Sequence, residues 1–193
     1  MSQPPAVSRW NLANQLTVLR LLLVPVLAWL LYEIGAASDE LPWSIAAFLV
    51  FIGASATDSV DGEIARRRGL ITNFGIVADP IADKALTGTA LIGLSMLGDL
   101  PWWVTIAFLV REFGVTVLRF WVIRHGVIPA SRGGKLKTVL QVIAIGLYLL
   151  PLTGPLATGR AWVMGAALIV TLVTGVDYVA RAVRLRRTAT ASS

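Results

Sequence analysis

Four aspartates, Asp58, Asp61, Asp79 and Asp83, fall at i, i+3 and i, i+4 spacing in two consecutive hydrophobic segments. Each pair therefore lies on a single helical face. With a rise of about 1.5 Å per residue, counting inward from residues 66–68 and from Asn73 puts Asp61 and Asp79 roughly 7 to 9 Å deep, and Asp58 and Asp83 roughly 12 to 15 Å deep. Matched depths let the pairs converge on one point. An aspartate at the centre of a membrane helix costs about 2.5 to 3.5 kcal/mol, so four together demand compensating cations. The chain has no cysteine and one histidine, His125, which leaves an all-oxygen ligand set suited to a hard divalent ion such as Mg²⁺ or Mn²⁺. Four carboxylates suffice for two ions about 3.5 to 4 Å apart that share one ligand. The plainer alternative makes the aspartates structural ion-pair partners of Arg66, Arg67, Lys84 or Arg111.

Residues between the aspartates fit a ligand that comes close to the backbone. Gly62 follows Asp61, and Gly75 precedes Asp79 by four; glycine is poor inside helices but opens the backbone to close approach. Packing of small residues between helices is the competing reading for Gly62. Arg66, five residues beyond Asp61, offers a guanidinium fork for phosphate oxygens.

The elements that must position these groups are helices. The chain is 193 residues long, 56% hydrophobic and 15% charged, with a net charge of +6; soluble domains carry about 45 to 50% apolar and about 25% charged residues. Apolar runs of about the length needed to cross a bilayer predict six helices, at residues 14–35, 41–66, 76–97, 102–124, 136–151 and 160–183. Turns rich in Gly, Pro, Ser or charge separate them. The expected fold is an all-α, integral membrane bundle of six transmembrane helices, forming one domain over residues 1–193 with flexible tails at about 1–10 and 188–193. Six spans put 16 of the 17 basic residues on one side, with Arg160 alone on the other. By the positive-inside rule, both termini and the aspartates then face the cytoplasm of a bacterial plasma membrane. The positive charge reads as topology and attraction to anionic membrane lipids rather than as nucleic-acid binding. The N-terminus has no signal-peptide pattern, and no internal repeat is present.

Taken together, Asp58-x2-Asp61-Gly62-x2-Ala65-Arg66-x8-Gly75-x3-Asp79-x3-Asp83 resembles the signature of the CDP-alcohol phosphatidyltransferases, with every fixed position filled over 26 residues. Such membrane enzymes, usually homodimers, displace CMP from a CDP-linked lipid or alcohol with a hydroxyl acceptor. The resemblance implies that Asp58, Asp61 and Asp79 are metal ligands and Asp83 is a ligand and general base. It also implies that Gly62, Ala65, Arg66 and Gly75 wall the cytidine diphosphate. The segment Asn11 to Arg20, with Ala13 where proline is common, is similar to the opening of the family branch that makes phosphatidylglycerophosphate. Asn14, Thr17 and Arg20 share a helix face and either contact the CDP-diacylglycerol nucleotide or form a capped interfacial turn, with Asn14 as N-cap and Arg20 snorkelling.

Arg111 and Arg119 lie eight residues apart on one face of the fourth predicted helix, with Glu112 turned about 100° away, so each arginine is expected to need another anion. Ser131 to Lys137 places Gly133 and Gly134 just before a helix start, beside Lys135 and Lys137, an arrangement that can present N–H and ammonium groups to a phosphate. No strand precedes it and Leu136 follows the lysine, which excludes a nucleotide-triphosphate P-loop. A membrane anchor on the fifth helix is the alternative. The cluster of Arg111, Arg119, Ser131, Lys135 and Lys137 suits a phosphorylated acceptor such as sn-glycerol 3-phosphate. The expected reaction is transfer of the phosphatidyl group from CDP-diacylglycerol to glycerol 3-phosphate, giving phosphatidylglycerophosphate and CMP. Inositol phosphate or phosphatidylglycerol as acceptor would give sister reactions. A divalent-cation transporter is the reading from another class, disfavoured because the outer halves of the helices are apolar. Asp177 and Arg181, at i, i+4, are expected to pair.

Overall fold

A computed structural model of the chain describes residues 12–68, 73–122 and 132–191. The fold is all-α with six helices: α1 (Leu12–Ala36), α2 (Leu41–Arg68), α3 (Asn73–Met96), α4 (Trp102–Val122), α5 (Arg132–Leu149) and α6 (Pro155–Ala191). The expected helices are all present. The largest boundary difference is in α6, which begins five residues earlier than predicted and runs on to Ala191 through a segment rich in arginine and alanine, both good helix formers. Residues 1–11, which include the whole N-terminal segment expected to be a flexible tail, lie outside the described residues.

The expectation of six membrane-spanning helices is corrected. Among the described residues only two helical stretches are long and apolar enough to cross a bilayer, Asn14–Ala36 and Pro155–Leu185, with a shorter apolar stretch at Leu41–Thr57. Charge explains the difference. α3 carries Asp79, Asp83 and Lys84 in its first half, α4 carries Arg111 and Glu112 mid-helix, and α5 spans 18 residues and includes Arg132, Lys135 and Lys137. The second half of α2 is interrupted by Asp58, Asp61, Glu63 and the 66–68 arginines. With that correction goes the six-span side assignment of the termini. The protein is membrane-associated, and its helices carry outward apolar stripes. Trp103, Ile106, Val110, Phe113 and Val117 are exposed at helical spacing on α4, and Trp162, Ile169, Val173 and Val176 on α6.

The chain divides into two compact units, one built on residues 1–97 with 149–151 and the other on 98–148 with 152–193. In the first, α1 packs on both α2 and α3. Thr17 meets Asp79 near the start of α3, and Leu31 and Gly35 meet Gly93 and Leu97 near its end, so α1 and α3 run parallel. α2 is antiparallel to α1: Trp43 packs edge-on against Trp29, and Ala54 lies against Arg20. Ala78, Ala82, Leu86, Ala90 and Leu94 form a buried stripe at every fourth position of α3, and small residues on such a stripe let helices approach closely. On α1 the buried face runs through Leu27, Leu31 and Ile34 and continues toward the N-terminus as Asn14, Thr17 and Arg20. Its polar end is the end where the aspartates of α3 lie.

In the second unit α4 packs against α6. Asp99, just before α4, pairs with Arg160 early in α6, and Arg111 meets Thr171 eleven residues later, so these helices are also parallel. α5 runs the other way: Lys137 near its start reaches Glu112, and Tyr148 at its end lies under the Arg160 guanidinium. Gly98, at φ +83°, is a left-handed residue just beyond the end of α3. Gly154, at φ +61°, precedes Pro155, which opens α6.

Candidate functional site

Asp79 and Asp83 lie one turn apart on α3, each half-buried and each following a member of the alanine stripe, Ala78 or Ala82. The hydroxyl of Thr17 donates to Asp79 Oδ1. Thr17 is 1% exposed and Asn14 is 5% exposed. The capped-turn alternative for this segment does not hold. Asn14 sits within α1 and is buried rather than capping an exposed turn. Arg20, 1% exposed, turns inward, where its Nε–H donates to the Ala54 carbonyl at 3.3 Å. Gly75, in the first turn of α3, is buried.

The other aspartates belong to α2. Its backbone runs antiparallel to α1 from Ala54, beside Arg20, through positions 58, 61, 62, 65 and 66. These positions follow Ala54 toward the end of the unit that holds Asn14 and Thr17. The side chains of Asp58, Asp61, Ala65 and Arg66, and the surroundings of Gly62, lie outside the described residues. Among the described residues no three His, Cys, Asp or Glu side chains gather. Asp79, Asp83 and the Thr17 hydroxyl supply oxygen donors only, which is the chemistry a hard divalent ion takes.

The second unit corrects one expectation. Glu112 does not point away from Arg111: its Oε1 accepts from Arg111 Nη1 at 3.1 Å and also from Lys137 Nζ. Arg111 donates further from Nε to the Thr171 carbonyl at 3.1 Å and from Nη2 to Thr174 Oγ1 at 3.0 Å. A long side chain can swing back along its own helix, so an angular offset of one residue does not forbid the pair. Lys137 heads the buried stripe of α5 that continues through Gln141, Ala144, Ile145 and Tyr148, whereas Lys135 is exposed. The two predicted phosphate-binding lysines thus occupy different environments. α5 begins at Arg132, so Gly133 and Gly134 lie in its first turn rather than before it, where backbone N–H groups still have no partner within the helix. Arg119 is on α4 with its side chain outside the described residues, and so is Ser131 as a whole. Glu112 was expected to face away, and Thr171, Thr174 and Gly175 escaped the sequence reading. Their signal was the Thr-x2-Thr-Gly run in an otherwise apolar stretch of α6. Thr171 Oγ1 is buried with no hydrogen-bond partner.

The family model for CDP-alcohol phosphatidyltransferase matches residues 10–174. A probable phosphatidylglycerophosphate synthase of Mycobacterium tuberculosis is 58% identical over 174 residues, covering 90% of this chain and 82% of the relative. CDP-diacylglycerol–glycerol-3-phosphate 3-phosphatidyltransferases of Bacillus subtilis and Escherichia coli are 37% and 35% identical. They cover 88% and 73% of this chain, and 93% and 78% of their own lengths.

Proposed function

The chain belongs to the CDP-alcohol phosphatidyltransferase family, and from that premise we infer that it transfers the phosphatidyl group of CDP-diacylglycerol to sn-glycerol 3-phosphate, releasing CMP. The observation that carries the acceptor is the match along most of both chains to relatives from three bacteria whose names all state or imply this reaction.

Asp58, Asp61, Asp79 and Asp83 would hold one or two Mg²⁺ or Mn²⁺ ions, which supply Lewis acidity toward the diphosphate oxygens when bound. Support for this role is the oxygen-only donor set on α3 and the Thr17 hydroxyl that fixes one Asp79 oxygen. Asp83 takes the proton from the glycerol 1-hydroxyl as that oxygen bonds to the lipid-bearing phosphorus and the P–O bond to CMP breaks. A carboxylate is a weak base for an alcohol, so proton transfer is concerted with attack. Asn14, Gly62, Ala65, Arg66 and Gly75 contact the cytidine diphosphate, and Thr17 serves it indirectly by orienting Asp79. In the second unit Arg111 and Lys137 bind the acceptor phosphate, with Arg119, Ser131 and Lys135 contributing. The reacting end of the first unit faces the cytoplasm, a reading supported by the three arginines at 66–68 that close α2 there. A homodimer is part of the same reading.

CMP release by purified protein in lipid–detergent micelles, with glycerol 3-phosphate, inositol phosphate and phosphatidylglycerol supplied in turn, is the deciding measurement. Glycerol 3-phosphate should be turned over fastest. Preference for either other acceptor would overturn the assignment.

A further inference from the structure

Glu112 is one carboxylate held between two cations on different helices. It accepts from Arg111 on its own helix and from Lys137 on α5, and the three side chains are only 10 to 14% exposed. The far edge of Arg111 is fixed by the Thr171 carbonyl and the Thr174 hydroxyl. α6 makes room for the stem with Gly175, where a Cβ would stand 3.1 Å from Arg111 Cγ. Arg111 is therefore oriented from both ends, by α6 on one side and by Glu112 on the other. Lys137 has a flexible four-carbon stem, and the carboxylate brings its ammonium to the same point. Without Glu112 two poorly solvated positive charges would repel; with it the group keeps a net charge of +1 and a fixed shape.

We propose that Glu112 is a positioning residue for the acceptor phosphate. It sets the spacing and direction of Arg111 and Lys137 so that together they receive a phosphomonoester, without touching the acceptor itself. A residual single positive charge matches a phosphate-bearing alcohol and gives an uncharged alcohol nothing to pair with. The inference rests on the reading of Arg111 and Lys137 as acceptor contacts.

The test compares Glu112→Gln and Glu112→Asp with the unaltered protein by CMP release, titrating glycerol 3-phosphate at saturating CDP-diacylglycerol and then the reverse. Glu112→Gln, which keeps the shape but not the charge, should raise the KM for glycerol 3-phosphate by about tenfold or more, with the KM for CDP-diacylglycerol unchanged within about twofold. Glu112→Asp, which keeps the charge on a shorter stem, should raise it less. A fall in kcat with both KM values unmoved, or equal effects of Gln and Asp, would overturn the proposal and leave Glu112 a structural counter-ion. If the Gln protein cannot be purified folded, the Asp protein decides: a selective rise in the glycerol 3-phosphate KM supports the proposal, and an unchanged one refutes it. Failure of the unaltered protein to release CMP with glycerol 3-phosphate would instead sink the assigned reaction.

Discussion

Replacing Thr17 by valine removes one hydroxyl from the candidate metal end of the first unit. The side chain is 1% exposed, and valine has nearly the same volume, so no cavity opens. The loss includes the donor to Asp79 Oδ1. Hydrogen bonds to charged groups contribute about 1.5 to 3 kcal/mol, which corresponds to roughly 10- to 150-fold in an equilibrium or rate. Asp79 is only half-buried, so water can take the place of the hydroxyl and the low end applies, about tenfold in kcat/KM for CDP-diacylglycerol. The thermal midpoint of the detergent-solubilised protein should move by less than about 4 °C, the shift that about 1 kcal/mol produces in a chain of this size. Thr17→Ser keeps the donor and should retain most of the activity. Turnover by Thr17→Val within about twofold of the unaltered protein, or an equal loss in Thr17→Ser, would show that the hydroxyl does not orient Asp79 for chemistry.

Asp83→Asn should abolish CMP release while CDP-diacylglycerol still binds, as read by co-sedimentation with vesicles that contain it; parallel loss of binding and turnover would reduce Asp83 to a plain ligand. Chelation by EDTA should stop turnover, and Mg²⁺ or Mn²⁺ should restore it, whereas activity that survives exhaustive chelation would contradict a metal site at the aspartates. Gly93→Ala should destabilise the first unit by about 1 to 3 kcal/mol, because the added methyl would stand 2.5 Å from Leu31 Cδ1 on α1; an unchanged melting temperature would refute the close approach of α1 and α3. Asp99→Asn should shift stability by less than about 1 kcal/mol, since its pair with Arg160 is partly exposed, and Arg160 still lies over Tyr148 at 4.6 Å.

The helices were legible because long apolar runs separated by Gly, Pro and charge leave few alternatives. The number that cross a membrane was not legible from run length alone, because α3, α4 and α5 carry charges inside runs that otherwise pass for spans. At the site, helical spacing placed Asp79 beside Asp83 on α3 and Asn14, Thr17 and Arg20 on a common face, which the structure buries. It could not show that Thr17 meets Asp79 across 62 positions of sequence, because that contact depends on α1 and α3 running parallel. The Arg181–Asp177 pair, expected from i, i+4 spacing, forms at 3.0 Å. Glu112 was misjudged because an angle around a helix was treated as a distance, when side-chain length and a second cation on α5 decide the pairing.

Stability alone does not account for the charges in the second unit. A buried ion pair recovers its desolvation cost only with good geometry and further hydrogen bonds, and an apolar replacement of similar volume is often as stable or more so. Arg111, Glu112 and Lys137 occupy largely buried positions on α4 and α5 that leucine or methionine would fill without that cost. Their hydrogen bonds reach α6 as well, and the only buried side-chain polar atom without a partner among the described residues, Thr171 Oγ1, is on the residue whose carbonyl anchors Arg111. A purely structural origin would predict that an apolar set at positions 111, 112 and 137 yields a protein of lower thermal stability that, while folded, still turns over. A role at the acceptor phosphate predicts equal or greater stability with no turnover of glycerol 3-phosphate. Melting temperature and CMP release measured on that single triple variant, Arg111→Met with Glu112→Leu and Lys137→Met, separate the two.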